Sequence, residues 1–285
     1  MTSKKEILLE ILRQATGEAT KAEKMGREIV GSARFSLDLA AGMRQTIEVL
    51  PSDDSLPQGH WDRYIGTWQD LKNSAVSVNS TGTAAQSLSA NVAAIGLTVS
   101  SLATDLHSFL LPEPLQKTVK EATETIFHIV DRNHSSYDIV ADMKRLQLDT
   151  RGGNASTAIE LFEQAKAAFE RPTFGEGSPI GILIALRESI DAVLEQLITL
   201  RPFQEAAKKD VDKVISIGRH CARAGFSLDY FTRLRDDVHK LRDDLSGGKQ
   251  QAVSRDEMMN LFRRTSLFLK AFLASIDETK LRKLR

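Results

Sequence analysis

The stretch from Leu88 to Phe109 reads LSANVAAIGLTVSSLATDLHSF, and the spacing of its apolar residues decides the fold class. Leu88, Val92, Ile95, Val99, Leu102, Leu106 and Phe109 follow one another in steps of four and three. That spacing brings an apolar side chain back to one face of an α-helix at each turn, the heptad seam along which helices pack. A strand would alternate apolar and polar residues with period two, and no such run bounded by turn residues stands out in the chain. Three- and four-residue spacing recurs elsewhere. The sequence therefore predicts an all-α protein, with a long antiparallel, coiled-coil-like bundle followed by a compact helical bundle.

Working outward, this helical stretch begins near Trp61 after Pro57, with a break near Gly82, and Pro112 and Pro114 end it. Upstream, a first helical stretch runs from about Ser3 to Leu50 and stops at Pro51. Its inward stripe is Ile11, Ala15, Ala22, Gly26, Ile29, Ala33, Leu37 and Ala40. Glycines at 17, 26, 31 and 42 each cost roughly 1 kcal/mol against alanine inside a helix. Either close packing compensates them or the helix is broken. Downstream, a third long helix is expected from about Pro114 to Leu148, with Leu115, Val119, Ala122, Ile126, Ile129, Asn133, Tyr137 and Val140 on one side.

The turn-rich segment from Asp149 to Ser156 marks the expected domain boundary, giving a long-helix bundle over 1–150 and a compact bundle over 151–285. Helices in the second part are expected near Ala158–Phe169, Gly181–Leu200, Phe203–Ala224, Ser227–Leu245 and Arg255–Ser275. Ser254 and Glu257 stand at capping-box spacing at the start of the last.

Lysines plus arginines and aspartates plus glutamates number 38 each, so no long-range field draws in a nucleic acid or an anionic membrane. A local basic patch, Lys280, Arg282, Lys283 and Arg285, closes the chain and is read as a solvated tail. Aromatic residues make up only 6%, which leaves most of the packing to small and aliphatic side chains. Cys221 is the single cysteine, so no intrachain disulfide forms. A buried, inert thiol in a reducing compartment is expected. The N-terminal MTSKKEILLEILRQ lacks a signal-peptide pattern, which points to the cytoplasm.

Three features invite a chemical reading. From Asn73 to Thr104 no residue is charged, and serine, threonine, asparagine and alanine fill the face opposite the seam. This suits a buried hairpin helix better than a membrane span, which needs about 20 mostly apolar residues. Glu124, His128, Asp131, His134, Asp138 and Asp142 line one helix face, but no paired Glu-x-x-His motifs of a di-iron bundle accompany them. A solvated acidic face is expected, with no metal and no cofactor.

The third feature is Thr232–Leu241, TRLRDDVHKL. Arg235 and His239, four apart, share a helix face, and Asp236 lies three residues before the histidine. An imidazole beside a fixed cation is what metal-independent RNA cleavage uses, moving a proton while the guanidinium steadies charge on the phosphoryl group. The segment from about Ile180 to Ile276 resembles HEPN domains, small helical bundles that are often dimeric and in many cases ribonucleases of bacterial defence and toxin systems. Their arginine, four-to-six residues, histidine motif is matched by Arg233 and His239, with five between. A glycine-containing loop and the amphipathic SRDEMMNLFRRTSLFLKAFL follow. The polar residue often found directly after that arginine here follows Arg235, as Asp236.

This resemblance implies a ribonuclease with His239 as acid/base and Arg233 or Arg235 as phosphate clamp, and RNA as the partner. Against it, RLRDDVHKLRDD also reads as a solvated face laced with i, i+3 and i, i+4 ion pairs, and the long seams, the missing catalytic constellations and the neutral charge favour another role. The leading expectation is a non-enzymatic helical interaction protein, an accessory or regulatory subunit that binds another protein or a second copy of itself. A membrane-active role for residues 73–111 ranks third.

Overall fold

The computed structural model describes residues 3–24, 27–50, 52–53, 56, 58–81, 85–106, 113–114, 117–118, 121, 124–125, 128–130, 138–149, 156–170, 178–200, 210–247 and 253–281. No described residue belongs to a strand; the one extended pairing among them is an isolated antiparallel bridge between Ala222 and Ile276. The chain is all-helical, as the apolar spacing requires. It forms two compact units, Met1–Tyr137 and Asp138–Arg285.

In the first unit, α1 (Lys4–Glu23) packs on α2 (Arg27–Val49) and α3 (Gln58–Thr81), while α4 (Ala85–Leu106) packs on α2 and α3. The first helical stretch is thus two helices: α1 closes at Glu23 with Lys24 as its C-cap, and α2 starts at Arg27. Ser3 opens α1 with a capping box, its hydroxyl accepting from the Glu6 N–H while the Glu6 carboxylate accepts from the Ser3 N–H.

Side-chain pairs fix the directions. Lys5 Nζ at the start of α1 donates to the carbonyls of Glu48 and Leu50 at the end of α2, so these two helices run antiparallel. Lys4 meets Asp62, and Lys72 Nζ donates to Gln14 Oε1 at 2.8 Å; both pairs are 58 residues apart, which makes α1 and α3 parallel. The α3–α4 hairpin is pinned by a buried bond from Asn91 Nδ2 to Ser74 Oγ, 2.7 Å.

The bulk of this core comes from α3. Trp61, Tyr64, Trp68, Leu71 and Ala75, all at most 1% exposed, form a second seam of three- and four-residue steps. The seam on α1 is Leu8, Leu12, Ala15, Ala19 and Ala22, smaller towards its C-terminal end. Leu88, Val92 and Ile95 of the α4 seam are buried as expected, and so are their off-seam neighbours Ala90, Asn91, Ala93, Ala94, Leu97 and Thr98. The seam positions from Val99 onward lie outside the residues whose side chains are described.

The second unit contains α5 (Ile139–Arg145), α6 (Ala158–Glu170), α7 (Ser178–Leu200), α8 (Asp210–Cys221), α9 (Leu228–Gly247), α10 (Arg255–Ala274) and α11 (Glu278–Leu281). Here the third long helix of the sequence reading needs correction. Asp138 is not helical but an N-cap, its carboxylate accepting from the Ala141 N–H at 2.7 Å, and a fresh seven-residue helix follows. That helix, α5, packs on α10 and α6. It ends in a Schellman motif: Leu148 N–H reaches the Met143 carbonyl and Gln147 N–H the Lys144 carbonyl, with Gln147 left-handed at φ 60°. Met143 and Leu148 are fully buried, which supplies the apolar contact such an ending carries.

α10 is the central rod, packed against α5, α7 and α9, and it opens with the expected capping box of Ser254 and Glu257. Although aromatics are few, they concentrate here. Phe268 stacks on Phe272 with centroids 5.7 Å apart, Phe272 meets Phe231 edge-on, and Phe262 stacks on Phe169 at 4.7 Å. Tyr230 buries its ring and donates its hydroxyl to the Ala271 carbonyl at 3.0 Å. Gly218 lets α8 close on α9: an added Cβ would lie 2.2 Å from the Phe231 ring. Gly225, at φ 95°, makes the turn between those helices.

Candidate functional site

Arg233, Arg235, Asp236 and His239 all lie on α9, whose core side is Phe231, Leu234, Val238, Leu241 and Leu245. The helical repeat that buries these five turns Asp229, Asp236, His239 and Asp243 to solvent. Arg235 binds Asp236, with Nε and Nη2 2.9 and 2.7 Å from Oδ1. The His239 imidazole has its Nδ1 3.1 Å from Asp243 Oδ2, one turn further on, and 63% of its side chain is exposed. Arg233 is half-buried.

The structure thus brings together two neighbouring pairs, Arg235 with Asp236 and His239 with Asp243, each basic side chain beside its own carboxylate. Exposed Asp236 and Asp243 stand within one turn of His239 on either side, so carboxylates compete with a phosphate for the groups beside them. Asp243 is not among the candidate site residues, but the His239–Asp243 pair is one of the i, i+4 pairs that the spacing of 233–244 offers.

A second cluster joins segments far apart in sequence. Arg145 on α5 donates through Nη1 to Glu278 Oε2 at 2.6 Å and to the Ile276 carbonyl at 3.2 Å. Its Nη2 reaches the Leu273 carbonyl at 2.8 Å. The Leu273 carbonyl lies in the last turn of α10, where it also accepts from the Ile276 N–H, and Ile276 follows the C-cap Ser275, so the guanidinium sits at the negative dipole end of the helix. Arg223 donates to the same two acceptors, Glu278 Oε2 at 3.1 Å and the Ile276 carbonyl at 3.2 Å. Lys270 Nζ binds Asp142 Oδ2 at 2.6 Å.

Burial raises the pKa of the Glu278 carboxyl, but its own backbone N–H and the two guanidiniums outweigh that and hold it below the usual range. Asp277 is also lowered, first by the Thr279 hydroxyl. This cluster corrects the reading of the acidic line over 124–142: Glu124, His128 and Asp138 are exposed, but Asp142 is buried between Lys270 and Arg145. Asp131 and His134 lie outside the described residues. No group of metal-ligating side chains occurs among the described residues.

A third cluster sits at the end of α9. Arg242 bridges to Asp191 of α7 at 2.9 Å, Arg187 donates to Ser246 Oγ at 3.1 Å, and Arg264, 2% exposed, binds Asp244 at 2.6 Å. Cys221 is buried, as expected. Lys280 donates to the Ala222 carbonyl and lies near Asp277, so it is not merely part of a tail; Arg282, Lys283 and Arg285 lie outside the described residues.

The outer face of α1 is of another kind. Arg13 binds Glu10 through Nε and Nη2, and bonds from Arg13 and Gln14 lower the Glu10 pKa to about 2. Lys21 pairs with Glu18 at 2.7 Å. Between these pairs Thr16 and Thr20 turn their hydroxyls onto the carbonyls of Leu12 and Thr16, each at 2.8 Å. Gly17 lies between them in mid-helix, exposed, with nothing within 4 Å of where a Cβ would stand. The result is a low saddle of Thr16, Gly17 and Thr20, flanked one helical turn to either side of the glycine by the exposed Arg13 and Lys21.

Among the described residues no helix is long and apolar enough to cross a membrane. Comparisons with known protein families, with curated proteins and with solved structures each return no match.

Proposed function

We propose that this chain is a helical protein–protein interaction module of the cytoplasm, an accessory or regulatory subunit that receives a partner on an exposed helix face. The observation that carries the reading is Gly17. A glycine in a helix interior costs about 1 kcal/mol against alanine; at Gly218 that cost accompanies contact with the Phe231 ring, while Gly59 and Gly181, which also meet nothing, stand in the first turns of their helices. At Gly17 no contact within the chain uses the missing side chain. A second helix crossing the saddle of Thr16, Gly17 and Thr20 would use it, because small residues let two backbones approach closely.

The test is purification of tagged protein from its native host, wild type beside Gly17→Ala, Gly17→Arg and the control Arg13→Ala. The expected result is a stoichiometric partner that stays with wild type and Arg13→Ala and is lost with Gly17→Arg. Gly17→Ala should raise the free protein's stability by about 1 kcal/mol in urea unfolding while weakening the complex. Recovery of the protein always alone would defeat the reading.

The nuclease alternative draws on the exposed His239 imidazole on the same helix as Arg235. The carboxylates of Asp236 and Asp243 beside them weigh against it. Incubation with mixed RNA in the absence of divalent metal, beside His239→Ala, decides: cleavage that vanishes with the substitution would reverse the order of the two readings.

A further inference from the structure

We infer that residues 275–281 form a charge-gated latch that decides whether α5 is seated, so that the C-terminal segment controls the first helix of the second unit. The inference is independent of the interaction reading. α5 has seven residues, too few to hold helical structure alone. Its stability must come from what it docks on. Of the four groups that Arg145 touches, two lie on the 275–281 segment, the Ile276 carbonyl and the Glu278 carboxylate; the others are the Leu273 carbonyl of α10 and Asp142 of α5 itself.

The segment itself is fastened at its other side. Arg223 N–H donates to the Ser275 carbonyl at 2.8 Å, Asp277 N–H donates to the Cys221 carbonyl at 2.9 Å, and Ala222 pairs with Ile276. Lys280 adds its bond to the Ala222 carbonyl.

The gate is Glu278. Arg145 on α5 and Arg223 just after α8 both reach the same carboxylate oxygen and the same carbonyl. Their side chains are only 18% and 23% exposed, so water screens them poorly from each other. With Glu278 in place its single charge is shared by the two cations, with Asp142 3.4 Å from Arg145 and Asp277 near Arg223 contributing the rest. With Glu278 withdrawn, the guanidiniums face each other across a single carbonyl and repel. Arg223 is anchored through its backbone to Ser275, whereas Arg145 rides on the short α5, so α5 is the element that gives way. A binding partner that takes hold of the C-terminal segment would thereby free α5.

Hydrogen exchange followed by mass spectrometry on the full chain tests this, comparing wild type, Glu278→Gln, Arg223→Met and the double variant. Glu278→Gln should speed exchange over residues 139–148 about tenfold or more while leaving α7 and α9 protected. Adding Arg223→Met should restore most of the protection, because the repelling partner is gone. Arg223→Met alone should leave α5 protected as in wild type, and this arm stands even if Glu278→Gln does not fold. Unchanged exchange over 139–148 in Glu278→Gln, a uniform rise across the second unit, a double variant worse than the single one, or loss of α5 protection in Arg223→Met would each overturn the latch.

Discussion

Residues 88–98 of α4 and the rod α10 are both buried on nearly every side, one in each unit, and they achieve it by opposite chemistry. Over 88–98 α4 is built of alanines, aliphatics and neutral polar residues, with Asn91 spending an amide N–H on Ser74. α10 instead carries long and charged side chains inward: Arg263, Arg264 and Lys270 sit among its phenylalanines, and Asp244 and Asp142 lie ready for Arg264 and Lys270. A helix can be enclosed either by having nothing to neutralise or by having its charges met. Total hydrophobicity does not distinguish the two, but the tolerance of each helix to substitution does.

The largest break is a cation in the wrong unit. Ala93→Arg places a charge at a fully buried site of α4, in a stretch from Asn73 to Thr104 that holds no carboxylate, and should cost upwards of about 4 kcal/mol. Loss of the cooperative unfolding transition of the first unit, followed by circular dichroism, is the expected observation.

In α10 the matching experiment removes the counter-ion. Asp244→Ala leaves Arg264 buried and unmet and should cost about 3 kcal/mol in urea unfolding, whereas Arg264→Met, which removes the charge itself, should stay within about 1 kcal/mol of wild type. Equal effects from both would mean that packing rather than charge governs the site.

A smaller effect is due at Asn91→Ala, which deletes the neutral bond to Ser74 and should destabilise by about 1 to 2 kcal/mol. The least is the acid response. Because the folded pKa of Glu278 lies below its ordinary 4.5, its contribution is fully present above that pH and is lost as pH falls through the lowered value. Wild type should therefore lose more stability than Glu278→Gln on acidification below 4.5; parallel curves would show that Glu278 stabilises nothing.

Much of this contrast was legible in the sequence, and the remainder has a common cause. Helical spacing placed α6, α7, α9 and α10 to within a few residues, and the capping box at Ser254 and Glu257 fixed the start of α10. The steps from Trp61 to Ala75 carried the same signal and passed unused. The break after Glu23 was not decidable, because a small-residue stripe continues across it in two antiparallel helices. Asp142 was misread because its partner Lys270 lies 128 residues away, and the Arg145–Glu278 pair spans 133. The local acidic pattern said nothing of either. For α9 the spacing puts Arg235 and His239 on one face, yet which basic side chain each carboxylate meets depends on side-chain directions that spacing does not specify.

The most direct measurement of the central claim is the mass, by light scattering, of the protein as isolated from its host, wild type against Gly17→Arg. The interaction reading predicts a complex well above the 31.5 kDa of the single chain for wild type, reduced to that value by the substitution. A wild-type protein that elutes at 31.5 kDa, or a complex indifferent to Gly17→Arg, would contradict it.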